Sequence, residues 1–140
     1  MTMSNRIVGV IETAIDVEDL DVAVAFYRRL FDFETLALDE RFCAFNVGGR
    51  SVLLLFEKGG RLAPLVVPGG VIPPHGGDGS AHFAFSITAE DLPKWEERLA
   101  SQGVAIEGRV HWERGGQSIY FRDPDGHLVE LATPGIWAIY

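Results

Sequence analysis

Three residues able to bind a metal or move a proton interrupt runs that otherwise read as apolar strands. They are Glu12 in Val10-Ile11-Glu12-Thr13-Ala14, His82 in His82-Phe83-Ala84-Phe85 and Glu130 in Leu128-Val129-Glu130-Leu131-Ala132. Side chains at i and i+2 share a strand face. Each of the three therefore shares its face with an alanine (Ala14, Ala84 or Ala132), and small neighbours leave room for a ligand. A carboxylate on a central strand is costly to bury unpaired, so Glu12 needs a cation, a proton or an arginine such as Arg50 or Arg109. Two carboxylates and an imidazole form a donor set of intermediate hardness, suited to divalent Mn, Fe, Ni, Co or Zn. The carboxylates would cancel the charge of such an ion, and open coordination positions would remain for water or substrate.

A second constellation is His111, Tyr120 and Glu130. If the intervening hairpin strands pair, the three approach one pocket, with His111 as general base and Tyr120 as proton donor. His75, in Pro73-Pro74-His75-Gly76-Gly77, and His127, after Asp123-Pro124-Asp125-Gly126, are expected to face solvent. The Asp-Pro-Asp-Gly run reads as a turn, because Pro and the missing further acids exclude a calcium loop. Cys43 is the one cysteine, so no intrachain disulfide is possible; it reads as a small buried hydrophobe.

These residues are carried by an order of elements that occurs twice. The first copy opens with a strand over about residues 7–16 and a helix capped by Asp19, with Leu20, Val22, Ala23, Phe26, Tyr27 and Leu30 at helical spacing. Strands follow over about 33–38, 41–47 and 50–57, the last two joined at Gly48-Gly49. The second copy has a strand over about 81–88, a helix over about 89–102, and strands over about 104–111, 116–121 and 127–132. Glu12 and His82 open equivalent strands, and Leu54 stands where the second copy has Glu130. The fold class is thus α+β, with two βαβββ modules forming paired curved sheets around a central pocket. The whole chain reads as a single domain: module one over about 5–58, a linker over about 59–79 and module two over about 80–134. Residues 58–80 hold seven glycines and four prolines and read as a long loop. The apolar tail Ile136-Trp137-Ala138-Ile139-Tyr140 is expected to pack on the body or on a partner chain.

A net charge of −8 with dispersed acids and no basic patch argues against nucleic acid and anionic membranes as partners. No apolar run approaches the roughly 20 residues of a membrane helix, and no signal-peptide pattern opens the chain, so a cytoplasmic location is expected.

The motifs Val17-Glu18-Asp19-Leu20, Ala25-Phe26-Tyr27-Arg28, His82-Phe83-Ala84-Phe85 and Tyr120-Phe-Arg-Asp-Pro-Asp-Gly-His-Leu-Val-Glu130 span nearly the whole chain. By them the sequence resembles the vicinal oxygen chelate superfamily of glyoxalases, fosfomycin- and bleomycin-resistance proteins and extradiol dioxygenases. The resemblance implies two βαβββ modules around one divalent metal held by Glu12, His82 and Glu130. Glu12 stands where the family usually has His or Gln. It further implies a small-molecule substrate, a homodimer whose sites are in some members built from halves of two chains, and lyase, isomerase or ring-cleaving dioxygenase chemistry. The alternative is a metal-free binding protein of the bleomycin-resistance type, with Phe45, Trp112 and Trp137 stacking the ligand.

Overall fold

The computed structural model describes residues 7–60, 62–77 and 79–140; the expected start of module one, at about residue 5, lies outside them. The elements are β1 (Glu12–Val17), α1 (Leu20–Phe31), β2 (Glu34–Leu38), β3 (Phe42–Val47), β4 (Ser51–Glu57), β5 (Leu65–Val67), β6 (Gly70–Ile72), β7 (His82–Ser86), α2 (Leu92–Ser101), β8 (Gly108–His111), β9 (Gln117–Arg122) and β10 (Leu128–Ala132). The α+β class and the doubled βαβββ order follow the sequence pattern. In each module the first strand lies parallel beside the last, giving sheets β1-β4-β3-β2 and β7-β10-β9-β8. The registers also repeat: Ala14 stands opposite Leu54, and Ala84 opposite Glu130. Glu12 is therefore the counterpart of His82.

α1 starts where the Asp19 carboxylate accepts the Val22 N–H at 3.2 Å. It buries Leu20, Ala23, Val24, Phe26, Tyr27 and Leu30, each large side chain contributing about 1.5–3 kcal/mol. One core takes Ile15, Val17, Phe45, Leu53 and Leu55 from the first sheet and Ile119, Phe121, Val129 and Leu131 from the second. These positions are all odd-numbered. Strand alternation thus sends the odd face of both sheets to the shared core and the even face, which carries Glu12, His82, Tyr120 and Glu130, outward.

Several boundaries differ from expectation. The strand expected over 7–16 begins at Glu12, because ladder pairing starts with the bond from Val52 N–H to Ile11 O. Ile7, Val8, Val10 and Ile11 are left exposed. β8 begins at Gly108, with Val104 and Ile106 packed on the core outside any ladder. The linker is not loop throughout, because β5 and β6 form a short antiparallel hairpin across Pro68-Gly69. Gly70 has φ 152°, a value the missing Cβ permits.

His127, expected in solvent, is 2% exposed. Its Nδ1 accepts the Ala81 N–H at 2.8 Å, which assigns the ring proton to Nε2; Nε2 then donates to Asp16 O at 2.7 Å. The same turn reaches module one twice more. Asp125 Oδ1 accepts the Glu18 N–H at 2.7 Å, and Asp123 Oδ2 accepts the Tyr27 hydroxyl at 2.8 Å. The Asp123–His127 run is thus a clasp between modules. His127→Phe fills similar volume but unpairs a partly buried N–H and a carbonyl; it should cost about 1–3 kcal/mol, read by denaturant unfolding.

Candidate functional site

The outward face of the second sheet carries a tightly organised polar group. His82 opens β7 beside β10, where its Nδ1 lies 3.0 Å from Leu128 O. A carbonyl can only accept, so Nδ1 donates, and the lone pair available to a metal is that of Nε2. Nε2 lies 3.3 Å from Glu130 Oε1. The other carboxylate oxygen, Oε2, accepts the Ser118 hydroxyl at 2.6 Å, and Ser118 Oγ accepts the Trp112 indole N–H at 2.9 Å. This relay fixes Glu130 so that Oε1 faces His82. Nε2 and Oε1 thus converge at a distance that a shared cation or proton would bridge. The imidazole N–H on a backbone carbonyl is also the outer-shell support typical of metal-binding histidines. The donor set therefore fits a divalent metal.

Tyr120 lies opposite Glu130 on β9, its ring 6.1 Å from that of His82. Burial first, and then the Glu130 carboxylate, push its phenol up, so it keeps its proton and can donate it. His111 is not brought here. It pairs with Gln117, whereas Gly108 pairs with Tyr120, so strand parity places His111 on the opposite, core-side face, exposed at the sheet edge. A cavity of about 350 Å³ opens over the group, lined by His82, Ser86, Trp112, Tyr120, Glu130 and Trp137 among others.

Glu12 lines a different cavity. It lies on the outward face of the first sheet with Ala14, Leu54 and Phe56, under the β5–β6 hairpin, in a space of about 960 Å³ that His75 also lines. The His75 ring meets Phe56 edge-on at 4.6 Å. Among the described residues of one chain, no three His, Cys, Asp or Glu side chains stand close enough to hold a metal. The sequence grouping of Glu12, His82 and Glu130 is thus split between two sheet faces. Neither arginine suggested as a partner for Glu12 is seen there: Arg109 pairs with Glu96 at 2.8 Å, and Arg50 does not line the Glu12 cavity.

Of the aromatics proposed for ligand stacking, Trp112 and Trp137 line the His82 cavity, but Phe45 is fully buried in the core. Cys43 is also buried, and burial raises its thiol pKa, which suits an inert core residue. Ser118 went unmarked in the sequence. Its position two residues before Tyr120, on the face of Glu130, was the available signal. The tail packs partly, as Tyr140 donates its hydroxyl to Ala132 O at 2.8 Å and to Ile87 O at 3.1 Å, while Trp137 and Ile139 stay exposed. No helix among the described residues is long and apolar enough to cross a membrane.

The chain has relatives among known proteins. The profile of the Glyoxalase/Bleomycin resistance protein/Dioxygenase superfamily matches residues 9–131. A metallothiol transferase FosB from Bacillus licheniformis is 36% identical over 135 residues, covering 96% of this chain and 80% of the relative. Among solved structures, a lactoylglutathione lyase from Agrobacterium tumefaciens superposes with a TM-score of 0.85 at 32% identity, over 96% of this chain and 99% of that one. The fosfomycin resistance protein FosX from Mesorhizobium loti gives a TM-score of 0.63 at 26% identity, over 91% and 93% of the two chains.

Proposed function

Because the chain belongs to the Glyoxalase/Bleomycin resistance protein/Dioxygenase superfamily, we propose that it is a metal-dependent enzyme acting on a small molecule that offers two neighbouring oxygens. Each metal would be held by His82 and Glu130 of one chain and by Glu12 of the partner subunit in a homodimer. The observation that carries the reading is the pairing of His82 Nε2 with Glu130 Oε1 at 3.3 Å, with Glu12 at the repeat-equivalent point of a separate sheet. A two-fold axis relating two chains would lay one module's outward face over the other's. The surface agrees with such a partner: β1 and β7 are edge strands, and Ile7, Val8, Val10 and Ile11 are exposed beside β1.

When bound, the ion would supply a Lewis acid for the chelated oxygens. The chain supplies the rest. Ser118 and Trp112 orient Glu130, Leu128 O orients His82, and Tyr120 offers a proton across the same face. This favours polar chemistry of the lyase, isomerase or group-transfer kind, in keeping with relatives named as a lyase and a transferase. Ring cleavage by oxygen is a weaker reading, since His111 stands on the other face.

The test is Mn2+ binding to the full chain, followed by electron paramagnetic resonance. About one ion per chain is expected. No binding of Mn, Fe, Co, Ni or Zn would overturn the reading and leave small-molecule sequestration in its place. Ser118→Ala should weaken metal affinity by about 10- to 100-fold, the usual effect of removing a ligand's outer support. Its thermal midpoint should fall only modestly, so the loss would report positioning of Glu130 rather than unfolding.

A further inference from the structure

We infer that the substrate of this site is an uncharged, ring-bearing molecule, and that the site selects against phosphonates and carboxylates. The inference rests on the metal reading above. Glu12 and Glu130 carry two negative charges against a divalent ion, and a ligating His82 adds none, so the loaded centre is close to neutral. Around it, the described residues lining the His82 cavity include no Lys or Arg. The Glu12 cavity likewise has none among its described lining residues, and it adds Asp16 and Asp39. An anion leaving water for this surface loses its hydration and meets no cationic side chain in return, only a metal centre whose charge its own ligands have already balanced. Proteins that bind phosphonate or carboxylate groups supply Arg or Lys for that purpose.

Two of the neutral donors are spent as well. The Trp112 N–H goes to Ser118, and the Tyr140 hydroxyl goes to two backbone carbonyls. What the cavity offers instead is aromatic surface from Trp112, Tyr120 and Trp137, with Ala84 and Ala132 leaving space beside the His82–Glu130 pair. Ring stacking on such surface is favourable without any charge. A space of about 350 Å³ is of the size that holds a small organic molecule.

Four probes separate charge from ring on the Mn2+-loaded full chain. 2-Hydroxyacetophenone has a ring, no charge and neighbouring oxygens. Hydroxyacetone lacks the ring. Phenylphosphonate and mandelate keep the ring and add negative charge. Binding is read by calorimetry and tryptophan quenching, with bound Mn2+ followed separately by paramagnetic resonance. 2-Hydroxyacetophenone should bind about tenfold or more tightly than each of the others. Trp137→Ala should lower that affinity by about tenfold and leave Mn2+ binding unchanged. Ser86→Arg should raise phenylphosphonate affinity by about tenfold or more. Phenylphosphonate or mandelate binding as tightly as the neutral ring, or no probe binding while Mn2+ is held, would overturn the inference. Failure to hold Mn2+ would instead remove the metal reading, and this inference with it.

Discussion

Glu12→Ala and Glu130→Ala chains, each unable to hold metal alone, should recover about one quarter of the metal sites when co-expressed in equal amounts. The number follows from symmetry. Random pairing makes about half of the dimers mixed, and each mixed dimer has two sites. One of these lacks both carboxylates, and the other has a whole set. The physical basis is that Glu12 lines the cavity of the first sheet, whereas His82 and Glu130 line that of the second. If each site were built within one chain, every chain in the mixture would lack a ligand and no metal would return. The readout is metal per chain in the mixture, and in the mixed dimer, once separated by two affinity tags, it should rise to about half an ion per chain. Neither substitution threatens the core, since Glu12 is exposed and Glu130 makes its bonds on the outward face. The single variants should therefore stay folded while losing the ion, which thermal unfolding checks.

The doubled βαβββ order was legible because its signals are local: the Asp19 cap, the helical stripe of α1 and the Gly48-Gly49 turn all act within a few residues. The equivalence of Glu12 and His82 was legible for the same reason, through matched offsets from each helix. The division of these ligands between two sheet faces was not, because it depends on how the modules pack through Phe31, Phe85, Trp95 and the odd-numbered core positions. His111 was misplaced by reading distance along the chain without register. Pairing of His111 with Gln117 puts even positions of β8 opposite even positions of β9, so His111 and Tyr120 must face opposite ways. The β5–β6 hairpin was hidden by the glycines and prolines around it, although Leu65-Val66-Val67 and Val71-Ile72 flank Pro68-Gly69-Gly70. His127 read as a turn residue because its partners, Ala81 and Asp16, lie 46 and 111 residues away. The Asp123–His127 part of the Tyr120–Glu130 motif thus joins the modules, while its two ends carry side chains of the candidate site.

That clasp sets the largest stability effect expected of a single substitution. Asp123 is 5% exposed. Its Oδ1 accepts the N–H groups of Asp125 and His127, both at 2.9 Å, and its Oδ2 accepts the Tyr27 hydroxyl at 2.8 Å. Asp123→Ala leaves all three donors without this acceptor, two of them on the buried residues Tyr27 and His127, and unfastens the turn from α1. The cost should be about 3–5 kcal/mol, a fall of roughly 10–20 °C in thermal midpoint. Tyr27→Phe keeps the ring, which stacks on Phe31 at 6.0 Å, and removes only the hydroxyl; it should cost about 1–3 kcal/mol. The two differ further in alkali. Burial, and then the nearby Asp123 charge, push the Tyr27 phenol far above its ordinary value, so the folded chain holds it neutral while the unfolded chain lets it ionise. Its contribution is complete below the unfolded value, near pH 10, and shrinks above it by about 1.4 kcal/mol per pH unit. Wild type should therefore lose stability more steeply than Tyr27→Phe between about pH 10 and 11. Parallel curves for the two proteins over that range would show that Tyr27 ionises as readily in the fold as outside it, and the buried Tyr27–Asp123 bond could not then be the tie between modules.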